Sequence, residues 1–191
     1  FDEVITGFRI AAGGAQEVLG ITPDLATYAK AMAGGFPIAM IAGRRDVMNY
    51  IGDGTVYHGG SFNSNVMSIA AAYASLKYIQ EQGDSFYRDL NAKGLRLMDG
   101  LRDVAKSQES DLHVQGLGSV FAISFTTKQE ITNWRDHARN CDDDKYSRFA
   151  KAMMNNGIRL ASNGRIHLSS AHTYEDIDNT VAVAATVLPT L

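Results

Sequence analysis

The segment Thr22–Pro37, TPDLATYAKAMAGGFP, places one lysine among small and apolar residues. Lys30 lies between two alanines, and the glycines Gly34 and Gly35 follow shortly after it. Burial in such surroundings lowers the pKa of an amine and frees it to attack a carbonyl group. The segment therefore predicts either a lysine for Schiff-base chemistry or a solvated lysine on a short helix.

Two acidic residues precede this segment at the end of a predicted strand. The stretch Phe1–Ile5 is typical of the last residues of a strand, and Asp2 and Glu3 lie within it. In open α/β sheets the carboxyl ends of the strands face the ligand. An acid at that edge is therefore either a partner for a cationic group of a ligand or a surface acid that caps the strand.

A polar, glycine-rich loop follows the lysine segment. The loop Gly59–Asn65, GGSFNSN, leads into a predicted helix over Ser64–Gln82. Backbone N–H groups, the hydroxyl of Ser61 and a helix N-terminus together suit a phosphate group. The loop has neither the Walker ending nor the Rossmann glycine pattern, so a simple helix cap is the alternative.

Hydrophobic periodicity divides the chain into an α/β part, residues 1–83, and a small α+β part, residues 84–191. In the first part, the apolar run Ile38–Ala42 predicts a buried strand. The second part is predicted to contain strands and helices in alternation: a helix from Asp84 to about Ala105, strands at Leu112–Val114 and Ser119–Phe125, a helix over Lys145–Asn155, strands at Ile158–Leu160 and Arg165–Leu168, and a last helix that Thr173 and Asp176 cap.

Composition excludes several classes of function. The net charge is −3, with 18 Lys and Arg against 21 Asp and Glu, so the chain has no basic footprint for nucleic acid. No apolar run reaches the length of a membrane span, and no histidine or cysteine pattern predicts a metal site. The single cysteine, Cys141, excludes an internal disulfide and fits a reducing compartment, so we expect a cytoplasmic protein. The chain begins at Phe1, and we expect it to be part of a longer protein.

Four segments, taken in order, resemble those of the class III, fold-type I aminotransferases. They run from the first residues of the chain almost to its end: Phe1–Arg9 (FDEVITGFR), Thr22–Pro37, His58–Asn65 (HGGSFNSN) and Ile166–Asp178 (IHLSSAHTYEDID). The resemblance implies an α/β fold, with the second half of an aspartate-aminotransferase-like large domain followed by a small α+β domain. It also implies that the chain uses pyridoxal 5′-phosphate (PLP).

The resemblance assigns a role to each candidate residue. Lys30 would form the Schiff base with PLP and move a proton at the substrate carbon. Asp2 would pair with the pyridinium nitrogen, which keeps the ring protonated as an electron sink. Ser61 would bind the phosphate of the neighbouring subunit's cofactor, and Gly60 would contribute a backbone N–H.

The resemblance also implies partners. Family members place the active site at a homodimer interface, and their first half supplies part of the PLP site and much of the substrate pocket. An N-terminal segment that is not in this chain is therefore expected to complete the site.

Within the family, the stretch Gly60–Met67 is similar to that of β-amino-acid aminotransferases. This favours transfer of an amino group between an amino acid, with β-amino acids included, and a keto acid. A glutamate-1-semialdehyde 2,1-aminomutase is the alternative, and a non-catalytic module derived from a transaminase is a further one. Arg165 is either a partner for a substrate carboxylate, which guanidinium groups bind well, or a solvated loop residue.

Overall fold

The computed structural model describes all 191 residues, which form two compact units, Phe1–Tyr87 and Arg88–Leu191. The predicted boundary at residues 83/84 stays a proposal. The first unit contains a small sheet and four short or long helical elements. In chain order its elements are β1 (Asp2–Glu3), α1 (Gly14–Leu19), β2 (Leu25–Tyr28), a 3₁₀ helix (Lys30–Ala33), β3 (Met40–Gly43), α2 (Arg45–Gly52) and α3 (Val66–Gln82).

The sheet of the first unit has the order β1-β2-β3. Strands β1 and β2 are parallel, with Asp2 opposite Thr27 and Glu3 opposite Tyr28, so both strands end at the same edge of the sheet. Strand β3 returns antiparallel to β2. Residues that follow β1 and β2 therefore leave the sheet on one side, where ligands bind in α/β sheets.

A small apolar cluster supports the segment that follows β2. Met32 and Ala33 of the 3₁₀ helix are buried with Ala72 of α3. Four partly buried side chains pack against this cluster: Phe8, Tyr28, Ile38 and Leu76. The 3₁₀ helix is thereby held on the surface of α3 by its second half.

The second unit is an antiparallel sheet with helices. Helix α4 (Asp84–Ser107) begins in the first unit and continues into the second. The other elements are β4 (Leu112–Leu117), β5 (Val120–Phe125), α5 (Trp134–Asn140), α6 (Asp143–Asn155), β6 (Arg165–His167), α7 (Tyr174–Val187) and a 3₁₀ turn (Leu188–Thr190). The strands pair in the order β4-β5-β6, both pairs antiparallel.

One face of this sheet forms the core of the second unit. Buried residues alternate with less buried ones at the start of β4 and β5, as in a strand with one buried face, whereas residues 123–125 at the end of β5 are all buried. The ring of Phe125 meets that of Phe149 edge to face, with centroids 5.6 Å apart, and both side chains are fully buried. The helical face of α6 is thus fixed against the end of β5.

Most predicted helices are confirmed, and local capping explains why. The hydroxyl of Thr173 accepts a hydrogen bond from the Asp176 N–H at 3.1 Å, and Asp176 accepts one from the Thr173 N–H at 2.7 Å, which completes a capping box. The Asp142 carboxylate accepts from the Lys145 N–H at 2.8 Å and caps α6.

Two predictions of local structure are wrong. The apolar run Ile38–Ala42 forms a strand only from Met40, and that strand is mostly exposed because no layer of this chain covers it. The segment Ile158–Leu160 is not a strand and runs free of the sheet. Helices α1 and α5 were not predicted.

Candidate active site

Lys30 occupies an unusual backbone conformation at the point where β2 ends. Its φ is +46°, in the left-handed region that side chains other than glycine adopt at a cost of about 1–2 kcal/mol. Its side chain is exposed and makes no hydrogen bond or ion pair. Within the described chain Lys30 is thus an exposed residue on a short helix, because Met32 and Ala33 face the core and Lys30 does not.

A depression of about 620 Å³ adjoins the lysine. Gly34 and Gly35 line it with left-handed φ angles of +58° and +104°, so the backbone there is free of side chains. Arg9 lines the same depression. Burial lowers the pKa of the Arg9 guanidinium, and the nearby Tyr87 raises it. The depression thus presents two basic side chains beside glycine backbone, which favours an anionic ligand.

Asp2 lies near this edge of the sheet. It pairs in register with Thr27, three residues before Lys30, and its side chain is exposed. Its Oδ1 accepts a hydrogen bond from the Val4 N–H at 3.0 Å, and no cation pairs with it. The structure thus leaves an amine and a carboxylate without partners near the ends of two neighbouring parallel strands.

Glu3, the next residue, has the opposite surroundings. Its carboxylate is fully buried and accepts hydrogen bonds from the Ala15 N–H at 2.9 Å, the Gln16 N–H at 2.8 Å and the Thr6 hydroxyl. Burial alone would raise the pKa of Glu3, but these hydrogen bonds lower it below its ordinary value. Sequence reasoning grouped the two acids, although the alternation of a strand signals that only one can face a ligand.

The Gly60–Ser61 loop precedes α3 and is exposed throughout. The Gly60 carbonyl accepts from the Asn63 N–H at 3.0 Å, and the cap of α3 is Asn65, whose Oδ1 accepts from the Ser68 N–H at 3.1 Å. The hydroxyl of Ser61 is thus not used as the helix cap. It and the Gly60 N–H have no hydrogen-bond partner within the chain, so both are available to a ligand.

Arg165 belongs to the second unit, whereas Lys30, Asp2 and Ser61 belong to the first. It begins β6 opposite Ala122, its side chain is exposed, and its guanidinium forms no ion pair. It lines a cavity of about 690 Å³ in the second unit.

Trp134 lines the same cavity and was not singled out by the sequence. It is the only tryptophan of the chain, is 71% exposed, and stacks on the His137 ring at 5.2 Å between centroids. The Nδ1 atom of His137 is buried without a hydrogen-bond partner.

No group of three or more His, Cys, Asp and Glu side chains is arranged to hold a metal ion. None of the helices combines the length and the apolar character needed to cross a membrane.

Comparison with known proteins identifies relatives over the whole chain. The family model described as aminotransferase class-III matches residues 1–184. A curated relative, the glutamate-1-semialdehyde 2,1-aminomutase of Desulforapulum autotrophicum, is 39% identical over 191 residues, which is 98% of this chain and 44% of the relative.

Two solved structures share the fold. The β-phenylalanine aminotransferase of Variovorax paradoxus matches 100% of this chain and 44% of its own, with 30% identity and a TM-score of 0.88. The FumI protein of Sphingopyxis sp. MTA144, solved in its PLP internal aldimine form, matches 99% of this chain and 42% of its own, with 25% identity and a TM-score of 0.80. The chain thus spans less than half the length of the relatives it matches.

Proposed function

Because the chain belongs to the class-III aminotransferase family, we propose that it is the part of a PLP-dependent aminotransferase that carries the reactive lysine, Lys30. The observation that carries the proposal is the left-handed backbone of Lys30, which sets an unpartnered amine at the sheet edge that bears Asp2. Non-glycine residues in such a conformation cluster at active sites. The match of a family model to residues 1–184 supports the same assignment.

Each residue of the site has a distinct task in this proposal. PLP, when bound, supplies an electron-withdrawing ring that stabilises negative charge on the substrate carbon. The Lys30 amine would hold the cofactor covalently and would take and return the proton at that carbon. The Asp2 carboxylate would accept a hydrogen bond from the ring nitrogen, and its negative charge would keep that nitrogen protonated.

In this proposal the exposed loop before α3 binds the cofactor phosphate. The Ser61 hydroxyl and the Gly60 N–H would donate hydrogen bonds to phosphate oxygens of the neighbouring subunit's cofactor. Both donors lack partners within this chain, which leaves them free for that role.

The substrates are an amino acid and a keto acid, and Arg165 binds a substrate carboxylate. The relative from Variovorax paradoxus acts on β-phenylalanine, and the similarity of Gly60–Met67 to β-amino-acid aminotransferases favours that class. The aminomutase remains a second candidate, since a curated relative of that name is 39% identical. Product analysis without any added amino acceptor separates the two, because the aminomutase needs none.

The proposal includes two partners, a second subunit and an N-terminal segment. Several large apolar side chains of the first unit are almost fully solvent-exposed, among them Tyr57 at 89%, Phe62 at 87% and Val66 at 79%. Such a concentration of exposed apolar surface around one loop is typical of a surface that another polypeptide covers. The loop that contains Gly60 and Ser61 would then lie in the interface of a homodimer.

Borohydride trapping tests the proposal directly. The full-length protein is incubated with PLP, reduced, digested and analysed by mass spectrometry for a pyridoxyl adduct. We expect the adduct on the Lys30 peptide alone, lost in Lys30→Ala and kept in Lys77→Ala, a change of an exposed lysine on α3. Labelling spread over surface lysines, or none, would refute the assignment, and a non-catalytic module would keep its function in Lys30→Ala.

A further inference from the structure

The two neighbouring acids of β1, Asp2 and Glu3, differ in solvent exposure and in hydrogen bonding. Asp2 is exposed and accepts a single backbone hydrogen bond, whereas Glu3 is fully buried and accepts bonds from three other residues. Consecutive residues of a strand project to opposite faces. Whatever fixes the carboxylate of Glu3 therefore also fixes the direction in which the side chain of Asp2 leaves the strand.

The hydrogen bonds of Glu3 connect β1 to a separate part of the chain. Ala15 and Gln16 lie in the first turn of α1, twelve and thirteen residues further on. The Gln16 side chain donates in addition to the hydroxyl of Tyr28 at 2.5 Å, and Tyr28 is the residue that pairs with Glu3 across the sheet. The Glu3 carboxylate thus joins β1 to α1, and the Gln16 side chain extends the connection to β2.

The backbone around this point accommodates the carboxylate closely. Gly14 has φ +72°, and a Cβ there would overlap the carboxylate of Glu3. Gly7 donates its N–H to the Glu3 carbonyl at 2.9 Å, and a Cβ there would lie 2.5 Å from the Tyr28 ring. The site admits one carboxylate and leaves little room for an alternative arrangement.

We propose that Glu3 is a positioning residue for Asp2: its buried carboxylate, held by Thr6, Ala15 and Gln16, sets the direction of the Asp2 carboxylate toward the cofactor ring. The proposal rests on the proposed function, because it needs Asp2 to contact that ring. Strand β1 is bonded to β2 on one side, and the Glu3 carboxylate adds hydrogen bonds that fix β1 to α1.

The chemistry of the buried carboxylate makes the positioning sensitive to small changes. No cation pairs with Glu3, so its charge is balanced by N–H and O–H donors alone. A glutamine amide has nearly the same shape but brings an NH₂ group against those donors. The resulting unsatisfied group displaces β1, and displacement of a binding group by about 1 Å is enough to cost a large factor in a site of this kind.

The test compares PLP affinity and the absorbance maximum of the bound cofactor in the full-length protein. The affinity is measured below the unfolding temperature of each variant. We expect Glu3→Gln to weaken PLP binding about tenfold and to shift the absorbance as Asp2→Asn does, because both changes disturb the contact with the ring nitrogen. Glu17→Gln is the matched control, since Glu17 also accepts one backbone N–H but is exposed, and it should leave both readings unchanged.

A double-mutant cycle separates positioning from stability. If Glu3 acts through Asp2, adding Glu3→Gln to Asp2→Asn causes little further loss of PLP affinity, because the losses of coupled residues do not add. A purely structural role would instead lower the unfolding temperature while leaving the affinity and the absorbance of Glu3→Gln like those of the wild type. That result, or fully additive losses, would overturn the proposal.

Thr6→Val provides a second variant in case Glu3→Gln does not fold. It removes one hydroxyl donor and keeps the carboxylate, so we expect a smaller change in the same direction. No change in PLP affinity would again overturn the proposal. If the wild type itself forms no adduct at Lys30, the proposed function fails first, and the two failures are thereby distinguished.

Discussion

Gly94 of α4 lies directly against the carbonyl group of Gly118, so that a Cβ at residue 94 would overlap that carbonyl. A hydrogen bond holds the same two segments together, because the Oδ1 atom of Asn91, one turn earlier in α4, accepts from the Ser119 N–H at 3.1 Å. The turn between β4 and β5 is therefore seated on the helix by backbone contact. Glycine is normally unfavourable inside a helix, and it is required at residue 94 because a side chain would not fit against the Gly118 carbonyl.

We expect Gly94→Ala to lower the free energy of unfolding by about 2 kcal/mol. Overpacking against backbone atoms outweighs the gain in helix propensity of about 1 kcal/mol. Gly100→Ala in the same helix is the comparison, because a Cβ there would meet the Val181 side chain at 2.6 Å instead of backbone, so we expect a smaller loss. Thermal unfolding followed by circular dichroism measures both, and equal losses would contradict the role of the carbonyl contact.

At Lys30 the left-handed backbone should make a glycine variant more stable than an alanine variant, which is the reverse of the usual order in a helix. We expect Lys30→Gly to be more stable than Lys30→Ala by about 1 kcal/mol, because glycine adopts a positive φ without a Cβ clash. At Lys77, inside α3, glycine should instead be less stable than alanine by about 1 kcal/mol. Chemical denaturation followed by circular dichroism measures the difference in free energy of unfolding between the glycine and alanine variants at each position. If alanine is the more stable variant at both positions, there is no strain at Lys30.

We expect the raised pKa of Tyr87 to make the folded chain less stable in alkaline solution. Burial and the charge of Glu17 raise the pKa of Tyr87 to about 12, against the lowering effect of Arg9, and its hydroxyl donates to the Phe8 carbonyl at 3.1 Å. The unfolded chain releases this proton near pH 10, so the contribution is complete below pH 10 and is lost as the pH rises toward 12. Unfolding measured across this range should depend less on pH in Tyr87→Phe than in Tyr50→Phe, a change at an exposed site.

The single thiol should react slowly. Burial raises the pKa of Cys141, and the charge of Asp143 raises it further, while hydrogen bonds from Ser124 and Thr126 oppose the shift. Less thiolate is present at pH 8 than in the unfolded chain, so we expect alkylation by iodoacetamide to be about fivefold slower in the folded protein than in urea. Asp143→Asn should speed the reaction, whereas Asp144→Asn should not, and equal rates in both variants would contradict this cause.

Local signals in the sequence predict most of the helices and the cap of the last one, whereas the elements that depend on distant contacts are not predicted. The capping box of Thr173 and Asp176 was predicted because both partners lie within four residues of each other. Helix α1 was missed because its first N–H groups are satisfied by Glu3, a residue on another element. The apolar run at Ile41 predicted burial that depends on a neighbouring layer, which a local pattern does not specify.

The candidate site shows the same division. The motifs around Asp2, Lys30 and Ser61 predict the candidate residues, and their order along the chain predicts that they serve one cofactor. The exposure of Lys30 and the separation of Asp2 from Glu3 into exposed and buried acids follow from strand alternation and from the packing of Met32, which only the folded chain displays.

The position of Trp134 determines what an optical experiment on this protein detects. All indole emission of this chain originates from one exposed ring beside His137 in the second unit, so an unfolding curve recorded at that wavelength reports on residues 88–191. Of the 8 tyrosines only Tyr146 and Tyr174 lie in the second unit, so the tyrosine signal reports mainly on the first. Two transitions that coincide at both wavelengths would mean that the units unfold as one cooperative body.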